Sequence, residues 1–137
     1  ALTKNHPGGT GGLLLKARAF ARLGRHKEAL AAYEKAASEL MENGGKDLLA
    51  EAYLGMGDEN FVLGRYAMAA DGYKKAVGAM EGPDKGISKS WALYRMAQSY
   101  SILKDDSGKE EARKALTGLN SEFGAVAAPI LKEARDL

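Results

Sequence analysis

An offset of forty residues relates two stretches of this 137-residue chain: Gly24-Arg25-His26-Lys27-Glu28-Ala29-x3-Tyr33-x2-Ala36 and Gly64-Arg65-Tyr66-Ala67-Met68-Ala69-x3-Tyr73-x2-Ala76. The same offset links Leu13, Tyr53 and Leu93, then Ala17, Gly57 and Ala97, then Phe20, Asn60 and Tyr100, so the preceding segment recurs three times. A unit of this size cannot bury its own apolar stripe and gains stability only by stacking on its neighbours. That requirement excludes most folds before any single residue is considered.

The repeating unit is helical. Alanine and leucine dominate while valine, isoleucine and threonine are scarce, which favours helix and starves a sheet of its preferred residues. From Leu13 onward apolar residues recur at helical spacing, predicting helices at about 11–23, 25–43, 47–63, 65–81, 87–104, 107–119 and 122–136. Asn43-Gly44-Gly45 and Gly82-Pro83-Asp84 read as stops, and Asp106 or Ser107 as a cap ahead of Glu110. Residues 1–12 form a Gly-rich segment expected to be flexible, residues 13–120 three helical hairpins, and residues 121–137 a capping helix. In that last segment Phe123, Val126, Ile130, Leu131 and Ala134 share one side, and Pro129 is expected to bend the helix or mark its start.

Several chemistries are hard to build from these residues. The net charge of +2 supplies no overall field toward nucleic acid or an anionic membrane. The short basic cluster Arg18–Lys27 is flanked by carboxylates, so nucleic-acid binding is disfavoured. No apolar run approaches the roughly 18 residues of a membrane span, so no membrane insertion is expected. Cysteine is absent, and His6 and His26 are the only imidazoles, so no catalytic residue, metal or cofactor is predicted. His26 reads as a packing aromatic, because Tyr66 takes its place in the next repeat. Gly9-Thr10-Gly11-Gly12 follows no strand and completes no phosphate-binding pattern.

The pattern of a large, a small and an aromatic residue on the first helix, then A-x3-[FY]-x2-A on the second, resembles the tetratricopeptide repeat. The resemblance covers about residues 11–119, and is weakest in the third unit. There Ala112-x3-Leu116-x2-Leu119 lacks the aromatic and Lys104–Gly108 reads as extra loop, while Asn60 stands where an aromatic is expected. The forty-residue period exceeds the family's usual length of about 34. The resemblance implies an all-α, right-handed solenoid of three antiparallel hairpins closed by a seventh helix. The segment around Asn120-Ser121-Glu122-Phe123 is similar to the ends of such arrays in bacterial envelope proteins, and both periplasm and cytoplasm remain open. A chain beginning at Ala1 without methionine is expected of a processed protein or a piece of a longer one.

In this family the first helices line a concave surface. Helical phase puts Leu14, Arg18 and Arg22 of the first unit there, Leu54, Asp58 and Phe61 of the second, and Trp91, Tyr94, Arg95 and Gln98 of the third. Trp91 and Tyr94 either anchor a ligand on this face or join the core, Trp91 beneath the Gly82–Ile87 loop. Arg18 and Arg22 either orient a ligand or pair with Glu51 and Asp58. The expected function is a non-catalytic scaffold that takes a peptide or helix of a partner protein in this groove. The alternative is a structural or self-association module of a longer, envelope-type protein.

Overall fold

The computed structural model describes residues 10–43, 45–81 and 85–122, together with Glu133 and Leu137. Among them are six helices and no strand: α1 (Thr10–Arg22), α2 (His26–Asn43), α3 (Lys46–Val62), α4 (Tyr66–Ala79), α5 (Gly86–Ile102) and α6 (Asp106–Glu122). The all-α class expected from composition and apolar spacing is the class observed, and α1 to α5 end within about two residues of their expected limits. Each helix packs chiefly on the one before it and the one after it in the chain. None of the described helices is long and apolar enough to cross a membrane.

The turn from α1 to α2 has the same form as those from α3 to α4 and from α5 to α6. In Leu23-Gly24-Arg25, Leu63-Gly64-Arg65 and Leu103-Lys104-Asp105 the central residue has a positive φ of 78°, 79° and 59°. The amides of Arg25, Arg65 and Asp105 donate to the carbonyls of Phe20, Asn60 and Tyr100 at 2.9, 2.8 and 2.9 Å, closing the preceding helix with a left-handed residue. The forty-residue offset is therefore a period of the backbone as well as of the side chains.

This period corrects the reading of the third unit. Lys104–Gly108 carries no extra loop, because α6 begins in step with α2 and α4. Ala112 consequently occupies the place of Ala32 and Gly72, and Arg113 that of Tyr33 and Tyr73. Matching Ala112-x3-Leu116-x2-Leu119 to the A-x3-[FY]-x2-A pattern displaces the third unit by three residues from this backbone register. The cap also differs from expectation: it is Asp105, whose Oδ1 accepts from the Gly108 N–H at 3.0 Å.

Both ends of the chain depart from the expected divisions. Thr10, Gly11 and Gly12 belong to α1 instead of a flexible segment, and the Thr10 hydroxyl donates to Glu39 Oε1 of α2 at 3.0 Å. At the other end, α6 continues through Ser121 and Glu122, since no glycine or proline follows Leu119 closely enough to stop it. The seventh helix expected over 121–137 therefore does not match: its first residues finish the sixth. Its remaining residues apart from Glu133 and Leu137, the segment 1–9, Gly44 and the turn at Gly82-Pro83-Asp84 lie outside the described residues.

Small residues decide how closely the helices approach. Ala17 and Ala32 are buried in one core cluster, and Ala97 and Ala112 in another. Between them, a Cβ placed on Gly72 of α4 would lie 2.8 Å from the Gly57 nitrogen and 3.0 Å from its Cα, so the α3 and α4 backbones touch. The ring of Tyr73, itself fully buried, packs directly against Gly57, where a Cβ would meet it at 2.9 Å. Tyr33 of α2 fills the space above Gly55 in the same manner and ties the first pair of helices to α3.

Two substitutions separate packing from helix propensity. Gly72→Ala is expected to destabilise the chain, because about 1–3 kcal/mol of overpacking against backbone exceeds the roughly 1 kcal/mol of helix propensity gained. Gly78→Ala, with nothing near the added methyl, is expected to stabilise by about 0.5–1 kcal/mol. Urea unfolding of the two variants checks the opposite signs. In the third turn, Lys104→Gly relieves a left-handed lysine and is expected to raise stability by about 0.5–1 kcal/mol in the same measurement.

Candidate interaction face

The residues assigned to the concave face divide into a cluster that the fold assembles and others that it places elsewhere. On α5, Trp91, Tyr94, Arg95 and Gln98 recur at helical spacing and, with Glu133, line an open cavity of about 480 Å³. Trp91 is 52 % exposed, so it is not core, and its ring meets that of Tyr94 edge to face with centroids 6.0 Å apart. Gln98 Nε2 donates to the Tyr94 hydroxyl at 3.1 Å and fixes the orientation of that ring. The Arg95 guanidinium lies 4.7 Å from the centroid of Phe61, joining α5 to α3 through a cation–π contact.

The α3 residues extend this surface. Leu54 is partly buried and lines a smaller cavity of about 210 Å³ beside Glu51 and Ser88. Asp58 Oδ1 accepts a hydrogen bond from the Tyr73 hydroxyl at 2.6 Å. Asp58 keeps part of its surface in water. Even so, crowding strips enough hydration from its carboxyl to raise its pKa above the ordinary value, against the pull of the Tyr73 hydrogen bond and Arg95.

The first helix contributes less than the sequence suggests. Leu14 is 2 % exposed and belongs to the core formed by α1, α2 and α3, so it is not a groove residue. Its helical phase sits at the boundary between the two faces, and α2 covers it. Arg18 pairs with Glu51 on α3, the bland outcome for those charges; both remain partly exposed, and such a pair contributes little stability. Arg22 is exposed in the last turn of α1.

Some polar contacts were not legible in the sequence. His26 is more than a packing aromatic: its Nδ1 lies 2.6 Å from Oε1 of Glu59, a carboxylate that is only 6 % exposed. The contact links α2 to α3 across thirty-three residues, and neither residue carries a local signal of the other. No group of three or more His, Cys, Asp or Glu side chains converges on a metal-sized site among the described residues.

No protein-family model matches the chain, and no curated protein is significantly similar to it. Its class is therefore defined by its own geometry: an all-helical protein, among its described residues, with sequential helix packing and an aromatic face on α5.

The buried tyrosines give the fold a pH dependence. Burial raises the pKa of Tyr33, Tyr73 and Tyr100, and for Tyr73 the adjacent Asp58 carboxylate adds to the effect. A raised folded-state pKa contributes stability that is whole below the unfolded value of 10.0 and is lost as pH rises through the folded value. Stability is accordingly expected to fall steadily above about pH 10. Tyr73→Phe should make that decline shallower while costing about 1 kcal/mol or more at neutral pH through the lost hydrogen bond to Asp58. Urea midpoints across this pH range report both effects.

Proposed function

We propose that this chain is a three-unit, tetratricopeptide-like solenoid acting as a non-catalytic scaffold that binds a peptide or helix of a partner protein. The observation that carries the proposal is the half-exposed Trp91 beside Tyr94, held at the mouth of a cavity and braced by Arg95 on Phe61. Rigid aromatic surface of this kind dominates recognition hot spots, because it offers large contact area at low entropic cost. The common period of three turns supports the repeat reading. Trp91, Tyr94, Arg95, Gln98, Phe61 and Leu54 supply the contact surface, with Asp58, Arg18 and Arg22 setting orientation at its polar edge.

Self-association is a second reading, favoured by exposed Leu23, Val62, Ile102 and Leu103 along the edge formed by the three turns. The two readings separate experimentally. Trp91→Ala should change stability by no more than about 0.5 kcal/mol, as surface substitutions do. A partner captured by the intact chain should be lost with a cost on the order of 2 kcal/mol or more. Unchanged capture by Trp91→Ala would reject this face, and a concentration-dependent dimer abolished by Leu103→Lys would favour self-association.

A further inference from the structure

Phe20 of α1, Asn60 of α3 and Tyr100 of α5 occupy equivalent places in the three units, each accepting the amide that closes the following turn. Two of the three fill that place with a ring. Phe20 is flanked by Lys16 and Arg25, whose cations lie 5.8 and 5.3 Å from its centroid. Tyr100 stands directly against Gly108, where a Cβ would meet the ring at 2.6 Å, so α6 keeps a glycine to receive it. Asn60 instead brings a short amide. It is 2 % exposed, and its Oδ1 has no hydrogen-bond partner. An unpaired buried carbonyl costs free energy that a donor would recover.

Above Asn60 an open groove of about 380 Å³ runs between α2 and α4. Met56 and Met68 line it, with Ala67 and Gly72, and the Asp71–Lys75 ion pair borders it. Met68 is half exposed and occupies the position that Gly108 holds in the third unit, so a flexible thioether stands where the third unit keeps a glycine beside its ring. Thioethers adapt to aromatic rings and attract them. At 100° per residue, Met56 and Asn60 lie on the face of α3 opposite Leu54, Asp58 and Phe61, so this groove is separate from the one proposed above.

We propose that the groove over Asn60 is a second docking site, which takes a tyrosine side chain presented by a partner polypeptide. The ring seats on Met56 and Met68, supplying the aromatic that the second unit lacks. Its hydroxyl donates to Asn60 Oδ1, which reaches it by rotation about the broad terminal amide torsion. The charged border at Asp71 and Lys75 leaves polar partners for the backbone on either side of the ring. A donor-bearing ring fits this site better than a plain one, since only the former satisfies the buried carbonyl.

The test uses the full chain with methyl-labelled methionine and two probes, acetyl-Gly-Tyr-Gly-amide and acetyl-Gly-Phe-Gly-amide. The tyrosine peptide should shift the Met56 and Met68 methyl signals saturably, leave that of the exposed Met41 unmoved, and bind roughly 2- to 10-fold more tightly than the phenylalanine peptide. Asn60→Tyr, which supplies the third unit's own ring, should abolish the shifts. Ala67→Arg, at an exposed position on the groove wall, should weaken them without disturbing the fold and decides the matter if Asn60→Tyr does not fold. Absence of saturable shifts, equal binding of the two peptides, or undiminished binding in both variants would overturn the proposal.

Discussion

The contact on which the middle of the molecule depends is backbone against backbone, where Gly57 of α3 meets Gly72 of α4. With no Cβ on either side, the two helices approach until main-chain atoms touch, and the ring of Tyr73 fills the space that a Gly57 side chain would need. That placement brings the Tyr73 hydroxyl to Asp58 and leaves Asp58 and Phe61 on the outer side of α3. Phe61 can then support Arg95 of α5. The close crossing and the Arg95–Phe61 contact together link α4, α3 and α5 at the candidate face.

The equivalent crossings use alanine instead of glycine, at Ala17 with Ala32 and at Ala97 with Ala112. Main-chain contact of the kind made at Gly57 and Gly72 has no room for a methyl group, so alanine at these positions changes what the helices present to one another. The aromatics vary in step. Gly55 lies under Tyr33, Gly57 under Tyr73 and Gly108 under Tyr100, so each ring has a glycine that makes room for it. Interiors packed to crystal-like density leave little slack for such differences, which explains why Asn60, smaller than the rings at equivalent places, goes with a groove.

Several charged side chains in this structure pair with one another. Arg18 is taken by Glu51, Lys46 by Glu81, Lys75 by Asp71, and His26 by the buried Glu59. Of these contacts only the last has a buried member, Glu59, whose carboxyl would lose a hydrogen-bond partner in the interior if His26 were removed. The proposed recognition surface therefore relies on aromatic area, with charge acting at its border.

Local physics made the helices and their order legible in advance. Alanine-rich, 3.6-periodic segments form helix wherever they lie, and glycine in a left-handed turn announces itself at Gly24 and Gly64. The forty-residue period followed from the same regularities, whereas helical phase left Trp91 open between groove and core until the fold exposed it. What the tertiary structure alone decided was everything depending on a neighbour. Lys104 adopts a turn that its residue type disfavours because α5 and α6 must pack in step with the pairs before them. Leu14 entered the core beside α2 and α3, His26 of α2 found Glu59 of α3, and Asn60 lies beneath a groove between α2 and α4, each through a neighbouring helix that its own local sequence does not specify. Periodicity specifies which side of a helix is apolar, but it carries no information about how near the next helix comes, and that distance decides which of these side chains is core and which is surface.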